Sequence, residues 1–395
     1  MCKFVSFIKA MDYQELYNQN KERLIKGRYI ALHHLEPVLL RLQNEGKVSV
    51  LGRSVLGKPI YVYQNGKGNI RVMMWSQMHG NESTTTKAVL DFFNFLDSEK
   101  GEEFKQRFTF CIIPMLNPDG AEKWTRTNAN DVDLNRDSQN LTQPESQILR
   151  KCIEDFKPDL CFNLHDQRTI FGVEGTQNPA TVSFLAPSYN EAKEVNDVRK
   201  KAMEVIAYMN ETLQKYIPNQ IGRYDDSFNI NCIGDTVQQI GIPTVLIEAG
   251  HYPSDYQREN TRKLVFTALV SGLYNFKLKC IFDEKHLEYF NIPHNLAFFF
   301  DFLYKNVKFN YDNKQIITNF AVQFSERVEN EEIAFDAFIS KVGDLPGVCG
   351  HFEFDAKGEK YSDNENNFPN IGQKADFFIG NQKFLNGKPL TIGEE

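Results

Sequence analysis

The chain has 395 residues, a length that suits two domains of ordinary size. Hydrophobic residues make up 41% and charged residues 25%, and 32 Phe supply much of the apolar volume, so a sizeable core can form. The net charge of -7 gives no broad attraction for nucleic acid or anionic lipid. We therefore expect a globular protein without a nucleic-acid partner.

The sequence carries no sign of a membrane or secretory segment. No stretch approaches the roughly 20 consecutive apolar residues that a membrane-spanning helix requires. The opening segment, residues 1–10, has only a short apolar part, lacks a small-residue cleavage site and runs directly into charged sequence. We expect a cytoplasmic protein with no membrane partner.

Helical and strand-like patterns alternate along the first two thirds of the chain. Residues 12–44 mix charged and apolar residues at the spacing of amphipathic helices. Strands that alternate with helices after that point predict an α/β domain with a mainly parallel, mixed sheet flanked by helices. The patterns predict strands at 70–76, 108–115, 159–164, 181–185 and 244–247, and helices at 84–96, 144–156, 191–216 and 259–276.

Beyond about residue 280 the pattern changes to short aromatic and β-branched runs separated by turns, as at 315–324 and 332–339. These runs predict a small C-terminal β-rich domain. The sequence thus suggests a helical segment over 1–44, a central α/β domain over 45–280 and an accessory domain over 281–395.

His79 and Glu82 follow the first predicted strand, three positions apart. An imidazole and a carboxylate at this spacing can bind one cation if the turn between them is tight, and Gly80 permits such a turn. Taken alone, such a pair is more often two ordinary solvent-facing or hydrogen-bonded loop side chains.

His165 follows another predicted strand, 159–164. In an open α/β sheet the loops past the carboxyl ends of the strands line the ligand crevice. Two imidazoles and one carboxylate would leave a fourth position for water, as at a catalytic zinc site. A buried histidine bonded to the backbone is the alternative for His165, and Asp166 is a candidate for orienting a ligand.

Glu248 ends the predicted strand 244–247. A glutamate at the end of a hydrophobic run is costly to bury unless it is paired or placed at the mouth of a site. Glu248 is therefore a candidate base for a metal-bound water. A helix-capping or salt-bridged glutamate is the competing interpretation.

The segment between the candidate ligands contains Arg126, Asn135 and Arg136. A guanidinium presents a rigid fork of donors to a carboxylate or to a developing oxyanion. Two arginines with an asparagine nearby can bind a carboxylate and also stabilise an oxyanion. A loop with two arginines is, however, more often a solvated surface.

Taken together, these motifs resemble those of the zinc metallocarboxypeptidases, the family that includes carboxypeptidase A-like enzymes. The resemblance covers roughly residues 45–275. Six elements occur in the family's order: His79-x-x-Glu82, Asn117-Pro118-Asp119-Gly120, Arg126, Asp133-Leu134-Asn135-Arg136, His165 and Glu248.

The resemblance implies one zinc ion held by His79, Glu82 and His165, with Glu248 as the catalytic base. It implies a zinc-peptidase-like fold for residues 45–280 and a hydrolase that removes C-terminal residues from peptides. A zinc amidase or deacylase acting on N-acyl amino acids or cell-wall peptides is the alternative, and a binding protein that keeps the fold without catalysis is another.

The resemblance also implies roles for the arginines. Arg126 would stabilise the tetrahedral oxyanion, and Asn135 and Arg136 would bind the terminal carboxylate of the substrate. The expected substrate is accordingly a peptide or small amide with a free carboxylate.

The sequence departs from the family pattern at two places. Asn81 stands where digestive members carry an Arg between the first two ligands. Those enzymes also place a Tyr about 22 residues before the catalytic Glu; Tyr224 is two positions off, and we assign it no role. The pocket that selects the substrate side chain is expected to include Ile233, Gly234 and Asp235.

Overall fold

The computed structural model describes residues 12–276, 284–311, 314–363 and 366–390. The opening segment, on which the absence of a secretory signal was argued, lies outside these ranges. Within the described part of the chain, no helix has both the length and the apolarity needed to cross a membrane. The chain divides into a larger unit, which ends at Asn295, and a smaller unit, which takes in 168–172, 176–179 and the residues from Leu296 onward.

The larger unit is an α/β structure. Its helices are α1 (Tyr13–Asn20), α2 (Leu32–Asn44), α3 (Thr84–Leu96), α4 (Glu99–Arg107), α5 (Pro118–Lys123), α6 (Pro144–Phe156), α7 (Asp197–Leu213), α8 (Ile233–Gln239) and α9 (Glu259–Asn275), with 3-10 turns at Leu134–Arg136 and Glu284–Asn291. Its strands are β1 (Val48–Arg53), β2 (Pro59–Gly66), β3 (Ile70–Ser76), β4 (Phe108–Ile113), β5 (Leu160–Asp166), β7 (Val182–Leu185), β8 (Ile221–Arg223) and β9 (Thr244–Ala249). A short strand, β6 (Phe171–Val173), lies between β5 and β7 in the chain.

These eight strands form one mixed sheet in the order β1-β2-β4-β3-β5-β9-β7-β8. The central strands β4, β3, β5 and β9 run parallel, whereas β1, β2 and the β7–β9 pair are antiparallel. All seven residues of β5 are buried, as expected for a central strand covered on both faces. In its register with β9, His165 pairs with Glu248, so two candidate site residues lie side by side at one edge of the sheet.

Alternation along the strands divides the apolar core into two clusters. On β3, Val72 and Met74 belong to the larger cluster, and Met73 and Trp75 belong to the smaller one. Successive strand side chains point to opposite faces, so each face of the sheet needs its own cover. Helices α6 and α8 contribute residues to the smaller cluster. The candidate ligand His165 lies on the same face of β5 as Cys161 of this smaller cluster.

The smaller unit is built almost entirely of strands. After β10 (Asn295–Ala297), one four-stranded sheet has the order β13-β12-β11-β14, and a second has the order β15-β16-β17-β18. Side chains of both sheets share one core rich in Phe and Tyr. The strands are β11 (Phe299–Tyr311), β12 (Lys314–Glu329), β13 (Glu332–Gly343), β14 (Cys349–Asp355), β15 (Tyr361–Ser362), β16 (Phe377–Ile379), β17 (Gln382–Leu385) and β18 (Lys388–Pro389).

The predicted fold class is confirmed: a large, mainly parallel sheet is flanked by helices, and a β-rich region follows. Element boundaries differ in places. The helix predicted from 191 begins at Asp197, because the side chain of Asn196 caps it by accepting a hydrogen bond from the Arg199 N–H. The strand predicted over 159–164 continues through Asp166. The division at residues 44 and 280 stays a prediction.

Candidate metal centre

His79 and Glu82 lie in the connection between β3 and α3. The backbone turns at Gln77, which has a φ of 50°. At Gly80 a glycine is required by close backbone packing, because an added Cβ would lie 2.0 Å from the carbonyl carbon of Gly120. The close approach of α5 therefore fixes the position of the loop that carries both side chains.

The structure brings His79, Glu82 and His165 together. Glu82 Oε1 is 2.7 Å from His79 Nδ1, and Glu82 Oε2 is 2.8 Å from His165 Nδ1. The two imidazole Nδ1 atoms are 3.1 Å apart. All three side chains are buried, and one ligand atom from each lies within 4.8 Å of the others. Residues 83 positions apart in the chain thus present two nitrogens and a carboxylate to one point.

The donor set fits a zinc ion. Two imidazole nitrogens and one carboxylate are one of the protein ligand sets found at catalytic zinc sites. The outer nitrogen of His79, Nε2, is 3.0 Å from Asp133 Oδ1, an arrangement that fixes the orientation of a metal-binding imidazole. A cation at this point would satisfy both Nδ1 atoms at once, which no single proton can do as well.

Charge interactions inside the cluster are strong. Burial raises the pKa of the Glu82 carboxyl, but the charges and hydrogen bonds of His79 and His165 outweigh burial and hold the pKa far below its ordinary value. For His79, burial lowers the pKa, while Glu82 and Asp133 raise it by a larger amount together. The Glu82 carboxyl is therefore ionised and available as a ligand.

Glu248 lies beside this cluster at the end of β9. Its side chain is half-buried. Burial, followed by the negative charges of Glu82 and Asp166, raises the pKa of Glu248 well above its ordinary value, and Arg126 and Arg258 oppose that rise. A carboxyl so placed can accept a proton and return it.

Arg126 reaches the cluster from the segment after α5. Its Nη1 is 3.3 Å from Glu82 Oε1, and its Nε donates to Asp133 Oδ2 at 3.1 Å. About half of the side chain, 48%, is exposed, so the guanidinium can face a ligand in the crevice while it touches the inner acids.

Asn135 and Arg136 lie on the short turn that follows Asp133. Asn135 Oδ1 accepts a hydrogen bond from the Ile233 N–H at 3.2 Å, which places it at the start of α8. The exposed guanidinium of Arg136 donates to the carbonyl of Asn135 at 3.1 Å. These two residues therefore lie beside the cluster, near the expected side-chain pocket.

Asp133 is a site residue to which no role was assigned from its sequence pattern. Its Oδ1 accepts the Asn135 N–H at 2.9 Å and also contacts His79 Nε2, and its Oδ2 accepts from Arg126. The Asp133 carboxylate thus connects the cluster of candidate metal ligands, through His79, to Arg126 and to the turn that carries Asn135. Its place at the start of a 3-10 turn is a weak signal, because many such turns begin with Asp.

Asp166 and Arg258 make hydrogen bonds to backbone groups that surround the cluster. Asp166 accepts hydrogen bonds from the Thr84 and Thr85 N–H groups at 2.8 and 3.2 Å, and its own N–H donates to Glu82 Oε2 at 3.1 Å. Arg258 donates to the carbonyls of Gln167 and Ala249, both at 2.7 Å. These bonds tie the start of α3 and the ends of β5 and β9 together.

Tyr224 follows β8 and lies near Glu248. Burial, followed by the charge of Glu248, raises the pKa of the Tyr224 hydroxyl far above its ordinary value, and a hydrogen bond to Asn295 lowers it in part. The family's spacing falls two positions away from Tyr224 and did not assign it, since its approach to Glu248 depends on the pairing of β7 with both β8 and β9.

A buried His-Glu-His cluster and a glutamate at the carboxyl edge of an open α/β sheet fit the class of metal-dependent hydrolases. Comparison with known proteins agrees. Residues 35–147 match the family model described as zinc carboxypeptidase. The resemblance to the zinc carboxypeptidases is thereby confirmed.

Individual relatives are distant. The carboxypeptidase SOL1 of Arabidopsis thaliana is 28% identical over 160 residues, which cover 35% of this chain and 33% of the relative. The chain therefore spans about a third of the length of this curated relative. His165 and Glu248 lie outside the residues that match the family model, so their place in the site rests on the structure described above.

Solved structures share the fold. The carboxypeptidase A of Helicoverpa armigera matches with a TM-score of 0.51 and 15% identity, covering 68% of this chain and 80% of that chain. Bovine thrombin-activatable fibrinolysis inhibitor, solved with a tick carboxypeptidase inhibitor, matches with a TM-score of 0.50 and 14% identity, covering 62% and 96%.

Proposed function

We propose that this chain is a zinc-dependent hydrolase that removes C-terminal residues from peptides. The observation that carries the proposal is the buried convergence of His79, Glu82 and His165, with Glu248 beside His165 across two parallel strands. The family match over residues 35–147 and the shared fold support a metal-dependent peptide hydrolase. The cytoplasmic location expected from the sequence stays a prediction.

The protein's own groups divide the work of amide hydrolysis. A bound zinc ion would supply an activated water and polarise the scissile carbonyl. Glu248 would take the proton of that water and deliver it to the leaving nitrogen, a role that suits a carboxyl with a raised pKa. Arg126, with its half-exposed guanidinium next to Glu82, would face the developing oxyanion.

Asn135 and Arg136 would bind the free carboxylate of the substrate. The Arg136 guanidinium is exposed and makes a hydrogen bond to the neighbouring Asn135 carbonyl, which leaves further donors for a planar carboxylate. This pair would select peptides with an unblocked C-terminus. The substrate partner we propose is a peptide or small amide with a free carboxylate.

Replacement of Glu248 tests the assignment of the base. We expect Glu248→Gln to retain about one zinc per chain while the rate of peptide hydrolysis falls by roughly 10²- to 10⁴-fold, because general-base catalysis is lost but the ligands remain. Zinc content is measured by elemental analysis, and Glu103→Gln, an exposed change of the same kind, is the control. Full activity in Glu248→Gln would refute the assignment.

Peptides with free and amidated C-termini test the reaction class. If Arg136 and Asn135 bind the terminal carboxylate, amidation abolishes cleavage of the last residue. Equal rates on free and blocked peptides, or cleavage of N-acyl amino acids alone, would favour the zinc amidase or deacylase alternative.

A further inference from the structure

Four residues form a row across one face of the large sheet. In the strand registers His165 pairs with Glu248, and Glu248 pairs with Ser183 of β7. Ser183 pairs in turn with Gly222 of β8. Directly paired residues of neighbouring strands carry their side chains on the same face of a sheet. The row therefore begins at a candidate metal ligand, continues through the candidate base and ends at a position without a side chain.

Gly222 leaves the end of this row open to a side chain from another segment. An added Cβ at Gly222 would lie 2.8 Å from the Cβ of Asn295 and 3.0 Å from Ser183 Oγ. Side chains do not pack at such distances, so any larger residue at position 222 would displace Asn295. A glycine at position 222 is thus the condition for Asn295 to reach the row.

The segment that carries Asn295 is anchored along β8, the edge strand of the sheet. The Arg223 N–H donates to the carbonyl of Pro293 at 2.7 Å. The Arg223 guanidinium donates to the carbonyl of Ile292 at 3.2 Å. Because backbone and side chain of one strand residue both hold this segment, Asn295 enters the sheet face at a defined position.

The side chain of Asn295 is buried and makes hydrogen bonds to three other side chains. Its Nδ2 donates to Gln167 Oε1 at 3.0 Å and to Ser183 Oγ at 3.4 Å. It is also hydrogen-bonded to the hydroxyl of Tyr224. An apolar side chain would fill the same space without the cost of burying an amide. The hydrogen bonds are therefore the reason for an asparagine at this position.

The three partners of Asn295 lie around Glu248. Ser183 is the neighbour of Glu248 on β7, and the charge of Glu248 acts on the Tyr224 hydroxyl. The Gln167 N–H donates to the carbonyl of the residue after Glu248 at 2.9 Å. One amide thus connects the side chains that border the candidate base.

We propose that Asn295 is a positioning residue for the hydrolysis: it holds the Tyr224 hydroxyl and the Ser183 side chain beside Glu248, so that the base keeps its orientation toward the metal cluster. The inference rests on the proposed peptidase function and adds to it a residue from the segment beyond α9. Asn295 acts through its neighbours and has no contact with the reacting atoms.

Steady-state kinetics of the zinc-loaded full chain test this role. We expect Asn295→Ala to lower kcat by about tenfold or more, because a catalytic group displaced by about 1 Å can cost 10²-fold in rate. KM should stay within about twofold, the pattern of an interaction that matters only in the transition state. Zinc content should not change. Asn18→Ala, at an exposed asparagine on α1, is the matched control.

Nitration of tyrosines by tetranitromethane tests the contact without any need for turnover. Mass spectrometry reads the extent of reaction at each tyrosine. We expect Tyr224 to react several-fold faster in Asn295→Ala than in the wild-type protein. Tyr289, which precedes Asn295 in the same segment and is fully buried, should react at an unchanged rate. It is the internal reference for a segment that remains folded.

Gly222→Ala displaces Asn295 without changing it and is the second variant. We expect the same fall in kcat and the same rise in Tyr224 nitration as in Asn295→Ala. The double variant Gly222→Ala/Asn295→Ala should lose little more activity than either single variant, because both changes remove the same contact. Thermal unfolding checks that each variant is folded.

The outcomes separate this inference from the proposed function. An unchanged kcat or an unchanged nitration of Tyr224 in Asn295→Ala would overturn the role of Asn295. Equal acceleration at Tyr224 and Tyr289 would do the same, because it indicates general loosening. If the wild-type protein hydrolyses no peptide, the peptidase function fails. A selective rise in Tyr224 nitration would then still support the contact with Asn295, and no rise would overturn it.

Discussion

At the scale of single residues, the site depends on carboxylates that do more than one task. Asp133 contacts His79, Arg126 and the backbone of Asn135. Burial raises the pKa of Asp133, but the hydrogen bond and charge of His79, followed by Arg126, lower it far below its ordinary value. The acid therefore remains ionised, and its negative charge holds the imidazole in the orientation that a metal requires.

Asp133→Asn removes that charge and is expected to weaken zinc binding by about 10- to 100-fold, the usual effect of losing an outer partner of a ligating histidine. Competition with a chelator measures the affinity. The exposed Asp131→Asn is the control, because Asn tolerates its positive φ of 58° equally well. An unchanged zinc affinity in Asp133→Asn would show that His79 is oriented by other contacts.

At the scale of elements, a buried ion pair joins α3 to α9. Arg262 Nη2 is 2.6 Å from Asp91 Oδ1, and both side chains are fully buried. Arg262 also donates to the carbonyls of Glu22 and Ile25, each less than 3 Å away. Because α3 carries the loop of His79 and Glu82 at its start, the pair helps to set the position of that loop.

Arg262→Met leaves Asp91 buried without its partner and is expected to lower the free energy of unfolding by about 3–5 kcal/mol. The double variant Asp91→Leu/Arg262→Met should recover part of the loss, because no uncompensated charge is left. Urea unfolding measures both. Lys151→Met, which breaks an exposed pair on α6, should change little; a loss as small in Arg262→Met would refute the argument.

At the scale of the whole molecule, two units each contain a core of their own. The three candidate ligands and Glu248 all belong to the larger unit, whereas the aromatic core formed by strands β11 to β17 belongs to the smaller one. A ligand that binds only the folded form stabilises the unit that holds it, by about 2.7 kcal/mol when its free concentration is 100 times its Kd.

Calorimetry on the full chain should therefore show a zinc-sensitive transition and a zinc-insensitive one. We expect removal of zinc with a chelator to lower the melting temperature of the larger unit only, and re-addition of zinc to restore it. Magnesium, which prefers oxygen ligands, is the control ion. A single transition that shifts as a whole would mean that the two units unfold together.

The sequence by itself predicted much of the fold because burial patterns are local. The apolar runs at 70–76 and before His165 identified central strands, and helices 84–96 and 144–156 match α3 and α6. Strand β1 escaped prediction because it lies at the edge of the sheet, is mostly exposed and carries no clear apolar face. The candidate ligands could be predicted because they follow strands whose carboxyl ends meet at one edge of the sheet.

Only the tertiary structure decided which side chains meet across distant parts of the chain. Asp133 contacts His79 from 54 positions away, Tyr224 approaches Glu248 through the order of the sheet strands, and Asn295 reaches Gln167 from 128 positions away. A sequence pattern records which face of an element is apolar. It does not record which groups of another element arrive at that face, because register and packing between elements are set by the whole core.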